Sequence, residues 1–431
     1  MKRVLLVAPH FPPSNLASVH RARLFAQHLP EFGWEPTVLT VHHDDYTESL
    51  DWDLEALVSD DTDIERVRAD VGPVDFGSFR LMSDVVLRSY RSLLRRALEV
   101  VDAKGIDFVY VLIPSFYGAL LGRAIYKRRG TPFGIDYIDP WVQQNAYPFG
   151  SKNWISQRLA RVLEPLSVRD ASLITGVAEG YYEDVLDRNP HLRGAVTAAM
   201  PYGGEARDHR GVQKMGIEPW LFQRDGRFRL LYAGALLPLA VEPLRRVFES
   251  VSKHREAFDD VELVFVGTGS SPDDEDGYQI RPIAEEYGLY GTLVREHPPR
   301  IPYLDVLAHL EASRGVFILG STEPHYTPSK VYQGVLSERP VLAVLHEAST
   351  ACEVIRETGT GRVLSFNGEE GLDTIEEEFA DVFASFRAFT DEFDPSSVDQ
   401  DAFEAFSARN VTKTLADALD QAVLRRPPAT V

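Results

Sequence analysis

The sequence predicts an α/β protein of two Rossmann-like, doubly wound domains. Two observations carry this. Short apolar strands alternate with amphipathic helices in two separate series, and a stretch rich in Gly and charge, near 200–227, parts them. The 431 residues are ample for two cores. A hydrophobic content of 44% with 26% charged residues is that of an ordinary globular protein.

The first strand is RVLLVAP, residues 3–9, a continuous apolar run of the kind a parallel strand needs when helices cover both its faces. Its apolar stretch is short and Pro12-Pro13 follows, so it reads as a strand rather than as the apolar region of a signal peptide. A helix follows over 19–29, where Val19, Ala22, Phe25, Ala26 and Leu29 repeat at helical spacing. Further strands are expected at 35–41, 108–113, 133–138 and 172–177, with helices near 81–104, 115–129, 152–170 and 179–187. These make a first domain over 1–205. Residues 206–227 read as a linker. The second series has strands at 228–235, 261–268, 293–297, 315–321, 340–345 and 361–366, and forms a domain over 228–400. The segment 401–425 carries a last amphipathic helix, expected to pack back on the first domain.

Composition removes several function classes. The single cysteine, Cys352, excludes an internal disulfide and any cysteine-based metal cluster, and it suits the cytosol. A formal charge of −20 argues against nucleic-acid binding. No apolar run reaches the roughly 18 residues a membrane span requires. One segment opposes the acidic background: residues 80–96 hold five Arg and one Asp. With Leu81, Val85, Leu93 and Leu94 as an apolar face, this helix would lie against anionic lipid. The alternative is a helix packed on the sheet with its Arg in water.

In open parallel sheets, ligands bind outside the carboxyl ends of the strands. Two such sheets facing each other make a cleft. The strand exits at Gly234-Ala235 and Gly267-Thr268 let phosphate or ribose approach the backbone, although Gly also simply ends strands. The sharpest signal is GSTEPHYTPSKVYQGVLSERPVLAVL, residues 320–345. Thr327 is a favoured N-cap and Pro328 a favoured first helical residue. The helix start would then offer free amides, a positive dipole end, Ser329 and the Lys330 ammonium to a phosphate. An ordinary capped helix with a solvated Lys is the alternative. His10 follows the first strand directly and is either an acceptor-side residue or a capped structural His, and Arg21 and Arg23 lie near the same cleft. His297 ends a strand at a place that would border a nucleotide base, with a satisfied edge His as the alternative. The acidic run Asp273-Asp274-Glu275-Asp276 reads as a solvated loop, so no metal and no cofactor is expected.

Taken together, these segments resemble the family 4 retaining glycosyltransferases of GT-B fold, over essentially the whole chain. VLLVAPHFPPSN with VHRARLFAQHL resembles the family's first strand, Pro-Pro loop and helix. FGIDYIDPW, residues 133–141, resembles the Asp-Pro-Trp segment of members that build bacterial surface polysaccharides. MPYGGEARD resembles the crossing into the second domain, and PSKVYQ with RPVLAV the donor-site helix. The chain departs from the family at several places. Ser14-Asn15 stand where two Gly are usual. Gly234 to Leu239 hold no cation where Arg and Lys are frequent. His325 and Gln333 occupy the places of the paired Glu, the second of which holds the donor ribose. Ile138 sits where a His is expected, which leaves Asp139 as the nearest polar group.

The resemblance implies a retaining transfer of sugar from a nucleotide diphosphate sugar to a saccharide or lipid-linked hydroxyl acceptor. Lys330 and the 327–330 amides would stabilise the departing diphosphate, Asp139 would orient the reacting groups, and His10, Ser14, Asn15 and Arg21 would serve the acceptor. Donor contacts would come from Gly234, Ala235, Gly267, Thr268, His297, His325, Thr327, Ser329 and Gln333. A nucleotide-sugar epimerase and a non-catalytic sugar- or partner-binding protein are the alternatives.

Overall fold

The computed structural model describes residues 1–72, 84–113, 116–143, 147–222, 225–269, 275–324 and 326–425, and the backbone of 75–76 and 79–80. The chain divides into two compact units, Met1–Tyr202 with Ala408–Val431, and Gly203–Ser407.

The first unit opens with β1 (Lys2–Val7), α1 (Ala17–His28), β2 (Trp34–Val41), α2 (Trp52–Glu55) and β3 (Asp63–Val67). A hairpin of β4 (Asp75–Phe76) and β5 (Phe79–Arg80) leads to α3 (Val85–Lys104), β6 (Phe108–Ile113) and α4 (Ala119–Arg129). Then come β7 (Phe133–Tyr137), α5 (Lys152–Val168), β8 (Leu173–Gly176), α6 (Glu179–Arg188) and β9 (Val196–Ala199). The strands form one parallel sheet in the order β3-β2-β1-β6-β7-β8-β9. Period-two alternation divides their apolar side chains between two faces. Leu5, Val7, Val109 and Val111 meet residues of α3, α4, α5 and α6. Val4, Leu6, Phe108 and Tyr110 meet α1 on the other face.

The second unit runs α7 (Ala206–Met215), β10 (Phe228–Ala233), α8 (Val241–Lys253), β11 (Val261–Val266), α9 (Arg281–Glu286) and β12 (Val294–His297). It continues through α10 (Tyr303–Ala312), β13 (Gly315–Leu319), α11 (Lys330–Leu336), β14 (Val341–His346), α12 (Thr350–Thr358) and β15 (Gly361–Phe366). It ends with α13 (Leu372–Glu392) and α14 (Gln400–Glu404). Its sheet is parallel in the order β12-β11-β10-β13-β14-β15. Phe265 and Phe317 of the sheet pack with Phe248 of α8 and Phe379 of α13. The chain then returns to the first unit as α15 (Ala408–Leu424), whose Leu415 and Leu419 are fully buried beside Val4 and Leu6.

Four expectations change. Residues 206–227 are not a linker throughout: α7 occupies the first half and belongs to the second unit. The last helix is two helices, α14 in one unit and α15 in the other. Strands β3 and β9 escape the sequence reading because they are short edge strands. DIERV is mostly polar, with only Val67 buried, so no apolar run marks it. The Arg-rich helix keeps its apolar face for the core. Val85 and Leu93 are buried on the sheet and even Arg88 is buried, so the face expected to meet lipid is occupied. Leu81 lies outside the described residues.

Sheet order also locates each ligand end. The connection direction reverses between β1 and β6 in the first unit and between β10 and β13 in the second. Ligands of doubly wound sheets bind beyond the carboxyl ends at such reversals.

Candidate functional site

In the second unit, a cavity of about 160 Å³ opens at that reversal. Its lining includes Gly234 and Ala235 after β10, Leu319 of β13, and Ser329 and Lys330 at the start of α11. Whole-ligand pockets run to roughly 300–1,000 Å³, so this one fits part of a ligand. Gly234 has φ +144, a conformation L side chains rarely adopt, and a Cβ there would sit 3.9 Å from the Lys330 Cε. The turn after β10 therefore calls for glycine by its backbone, and the Lys330 stem lies against it. Tyr232 pins the same turn by donating its hydroxyl to the Ala235 carbonyl at 3.0 Å.

Lys330 has no acidic partner among the described residues. It is exposed and lines the cavity. Burial, with repulsion from Arg300, lowers its pKa to about 8. Arg300, in the loop between β12 and α10, is a second cation that sequence reasoning missed. Its Cα lies 3.7 Å from where a Gly267 Cβ would be, beside the glycine that the φ of +70 after β11 calls for. The only sequence sign was an Arg following Pro298-Pro299 just past a strand end.

Thr327 does not cap the helix. Its hydroxyl pairs with that of Thr350 at 2.8 Å, and α11 begins at Lys330 after Ser329, whose φ and ψ of −58° and −20° are already helical. The Pro328 carbonyl accepts from the Val331 amide, so a turn precedes the helix and displaces its start. No side chain caps that first turn, which leaves Ser329 at the cavity wall. His325 lies outside the described residues, as do Asp273 and Asp274 of the acidic run.

The remaining donor candidates are more occupied. Thr268 is buried, and its hydroxyl donates to Glu296. Glu296 also accepts from the amides of Gln279, Ile280 and Arg281 at the start of α9. The Thr268 side chain thus fastens the turn after β11. Gln333, one turn into α11, is buried with its Oε1 3.2 Å from His209 Nε2. His209 Nδ1 lies 2.7 Å from Glu311, so a carboxylate–imidazole–amide chain orients Gln333. His297 sits edge-on to Trp220, with centroids 5.5 Å apart, and burial lowers its pKa.

In the first unit, His10 and Ser14 converge on one carboxylate. Glu48 Oε1 lies 2.7 Å from His10 Nδ1 and accepts from the Ser14 hydroxyl at 2.6 Å. Burial opposes the Glu48 charge, but His10 and Ser14 outweigh it and bring the pKa down to about 2. Tyr46 stacks on His10, with centroids 5.1 Å apart, so the ring is held on two sides. Glu48 is the functional candidate that the sequence concealed, since nothing in TESLD marks it. Asn15 pairs with His20 at 3.1 Å.

Arg21 is a correction. It is buried in the core, with Nε and Nη2 on the Asp136 carboxylate of β7 and Nη1 on the carbonyls of Met200 and Pro201. The Thr175 hydroxyl completes Asp136 at 2.8 Å. A guanidinium so committed fastens α1 to the sheet and to the segment leaving the unit, and does not face an acceptor. Asp139 differs: it follows β7, keeps exposed surface, and has no hydrogen-bond partner among the described residues. Crowding by the protein nevertheless raises its pKa.

Residues 18–203 match the family of the glycosyl transferase 4-like domain. No curated protein matches the sequence. Among solved structures, the chain is similar to the Anabaena HepE protein in complex with UDP, at 14% identity and a TM-score of 0.60, with 98% of this chain and 100% of that one covered. It is similar to the trehalose-6-phosphate synthase of Burkholderia multivorans at 13% identity and 0.61, covering 98% and 99%. Sucrose-phosphate synthase of Thermosynechococcus elongatus gives 15% and 0.56, covering 98% and 97%. At such identities the likeness is one of fold. With its parallel sheets of seven and six strands the chain has the GT-B fold, and its residues 18–203 match the glycosyl transferase 4-like domain.

Proposed function

We propose that the protein moves a sugar from a nucleoside diphosphate sugar to a saccharide or lipid-linked hydroxyl acceptor, with retention. The observation that carries this is Lys330, which lines the cavity beside Gly234 at the sheet reversal of the second unit and has no acidic partner among the described residues. A partly desolvated cation beside glycine backbone and an uncapped helix turn suits a diphosphate better than a neutral ligand. HepE was solved with UDP and with UDP-glucose, which supports a uridine diphosphate sugar as the donor class.

As the glycosidic bond breaks, negative charge grows on the departing diphosphate. Lys330 counters that charge where it develops, with Arg300 adding field, and this lowers the barrier. The acceptor hydroxyl attacks the same face that the phosphate leaves, and the phosphate oxygen takes its proton. Asp139 orients the acceptor hydroxyl or the donor sugar. The Glu48–His10 pair holds an imidazole in fixed orientation for acceptor contacts. Two protein cations fill the role a divalent metal has elsewhere, so turnover is expected to persist in excess chelator.

Calorimetric titration with UDP and with uridine tests the donor reading. Wild type should bind UDP more tightly than uridine, and Lys330→Ala should erase most of that difference. Equal affinity of both forms for UDP would move the phosphate site elsewhere. The missing cation at Gly234–Leu239 favours a second reading, a binder without turnover. Release of free sugar or of UDP over time from UDP-sugars separates the two.

A further inference from the structure

Helices α3, α4 and α5 lie side by side on one face of the first unit's sheet. Together they carry twelve Lys and Arg against three acids, in a chain of formal charge −20. Of those acids, Glu164 is buried against Arg188, and Asp102 is taken up by Arg129. Arg91 and Arg95 stand exposed on α3 beside Leu94 and Leu98, with no acidic partner among the described residues. The basic field ends at α6, whose exposed Glu183 and Asp187 reverse the sign.

On α5 the outward side is apolar. Ile155, Leu159, Val162 and Leu166 are 56%, 41%, 61% and 44% exposed. At 3.6 residues per turn they fall within about 60° of one another, a single stripe along the helix. Phe149, 87% exposed, sits just before the stripe against Trp154. Lys152 flanks the stripe on one side and Arg158 on the other, and Arg158 lies over the Trp154 ring at 5.1 Å. No exposed acid stands on this helix. Water-facing helices ordinarily place polar residues at these positions, so this face is built for a partner.

We propose that the α3–α5 face docks on an anionic lipid surface, with the α5 stripe buried among the headgroups. Cations around an apolar stripe match a surface that is charged outside and apolar just beneath. A soluble polyanion would engage the cations and leave the stripe in water. The spacing of the stripe would also suit a helix seam between two copies, but the flanking Lys152 and Arg158 would then meet their like. The inference goes beyond the donor reading and stands apart from it, because lipid binding is measured without turnover.

The test is flotation of the full chain with phosphatidylcholine vesicles, with and without about 30% phosphatidylglycerol. Recovery with the anionic vesicles only, lost at high salt, is expected. Lys152→Gln with Arg158→Gln should weaken partitioning about 30-fold, the loss for two cations at such a surface. Leu159→Ser with Val162→Ser should weaken it by about tenfold or more through lost apolar burial. All four side chains are exposed, so the variants should keep the wild-type melting temperature. Equal recovery with both vesicles would overturn the proposal, as would a serine pair that binds like wild type. A fall in molar mass of the serine pair without lipid, read by light scattering, would make the stripe an interface between copies and would also overturn it.

Discussion

Two cations near strand ends, one in each unit, divide structure from function. Arg21 is buried with all three guanidinium nitrogens engaged: Nε and Nη2 on Asp136, and Nη1 on two carbonyls. Lys330 is crowded yet has no acidic partner among the described residues, and it lines a cavity. A buried charge whose compensation is complete holds the fold together. A charge with no acidic partner, at the carboxyl ends of the strands, is the one proposed to meet an anion. Both were site candidates by sequence, and only their surroundings separate them.

The largest effect that would break this contrast concerns Arg21. Arg21→Ala leaves the Asp136 carboxylate buried and unpaired, and should cost about 3–5 kcal/mol of stability in denaturant unfolding. A loss near zero would make the pair dispensable and reopen a ligand role. Asp139→Asn should lower turnover by about 100-fold or more, the scale of a positioned proton-handling or orienting group, while UDP affinity stays near wild type. Unchanged turnover would remove Asp139 from the site.

Lys330→Ala should do the reverse of Arg21→Ala. Stability should hold, and UDP binding should weaken by about 1.5–3 kcal/mol in calorimetry, the range for hydrogen bonds to charged groups. Binding should also follow pH. The pKa of Lys330 is lowered to about 8, and an anion binds the protonated form, so affinity is full below that pH and falls as pH rises through it. Lys330→Arg keeps its charge and should flatten the decline. A flat wild-type profile between pH 7 and about 10 would show the ammonium to be ordinary. The smallest effect is expected at Thr327. A cap would be worth about 1 kcal/mol, but its hydroxyl faces Thr350, so Thr327→Val should change UDP affinity by less than about 0.5 kcal/mol.

A second contrast sharpens the lipid inference. Helices α3 and α5 are both basic and both carry apolar residues. In α3, Val85 and Leu93 face the core, whereas in α5 Ile155, Leu159 and Val162 face outward. Arg content drew attention to the first helix, but apolar exposure belongs to the second. A periodic apolar stripe does not say whether its partner is the sheet or something beyond the molecule. Packing of Ala160 and Val168 on the sheet settles which side of α5 turns inward.

Local periodicity was enough for the sequence to establish the two parallel sheets, the order of most strands and helices, and the strand exits at Gly234 and Gly267. Burial imposes apolar runs and helical repeats on the chain wherever a sheet is covered on both faces. Tertiary structure decided what the strand exits meet. Glu48 reaches His10 from 38 residues away, and the carboxylates of Asp136 and Glu296 are drawn to partners far along the chain. Arg300 joins Lys330 from a different loop. A turn at Pro328 moved the helix start past Thr327. Such partnerships rest on distances between residues remote in sequence, and neither hydrophobic period nor capping preference encodes those distances.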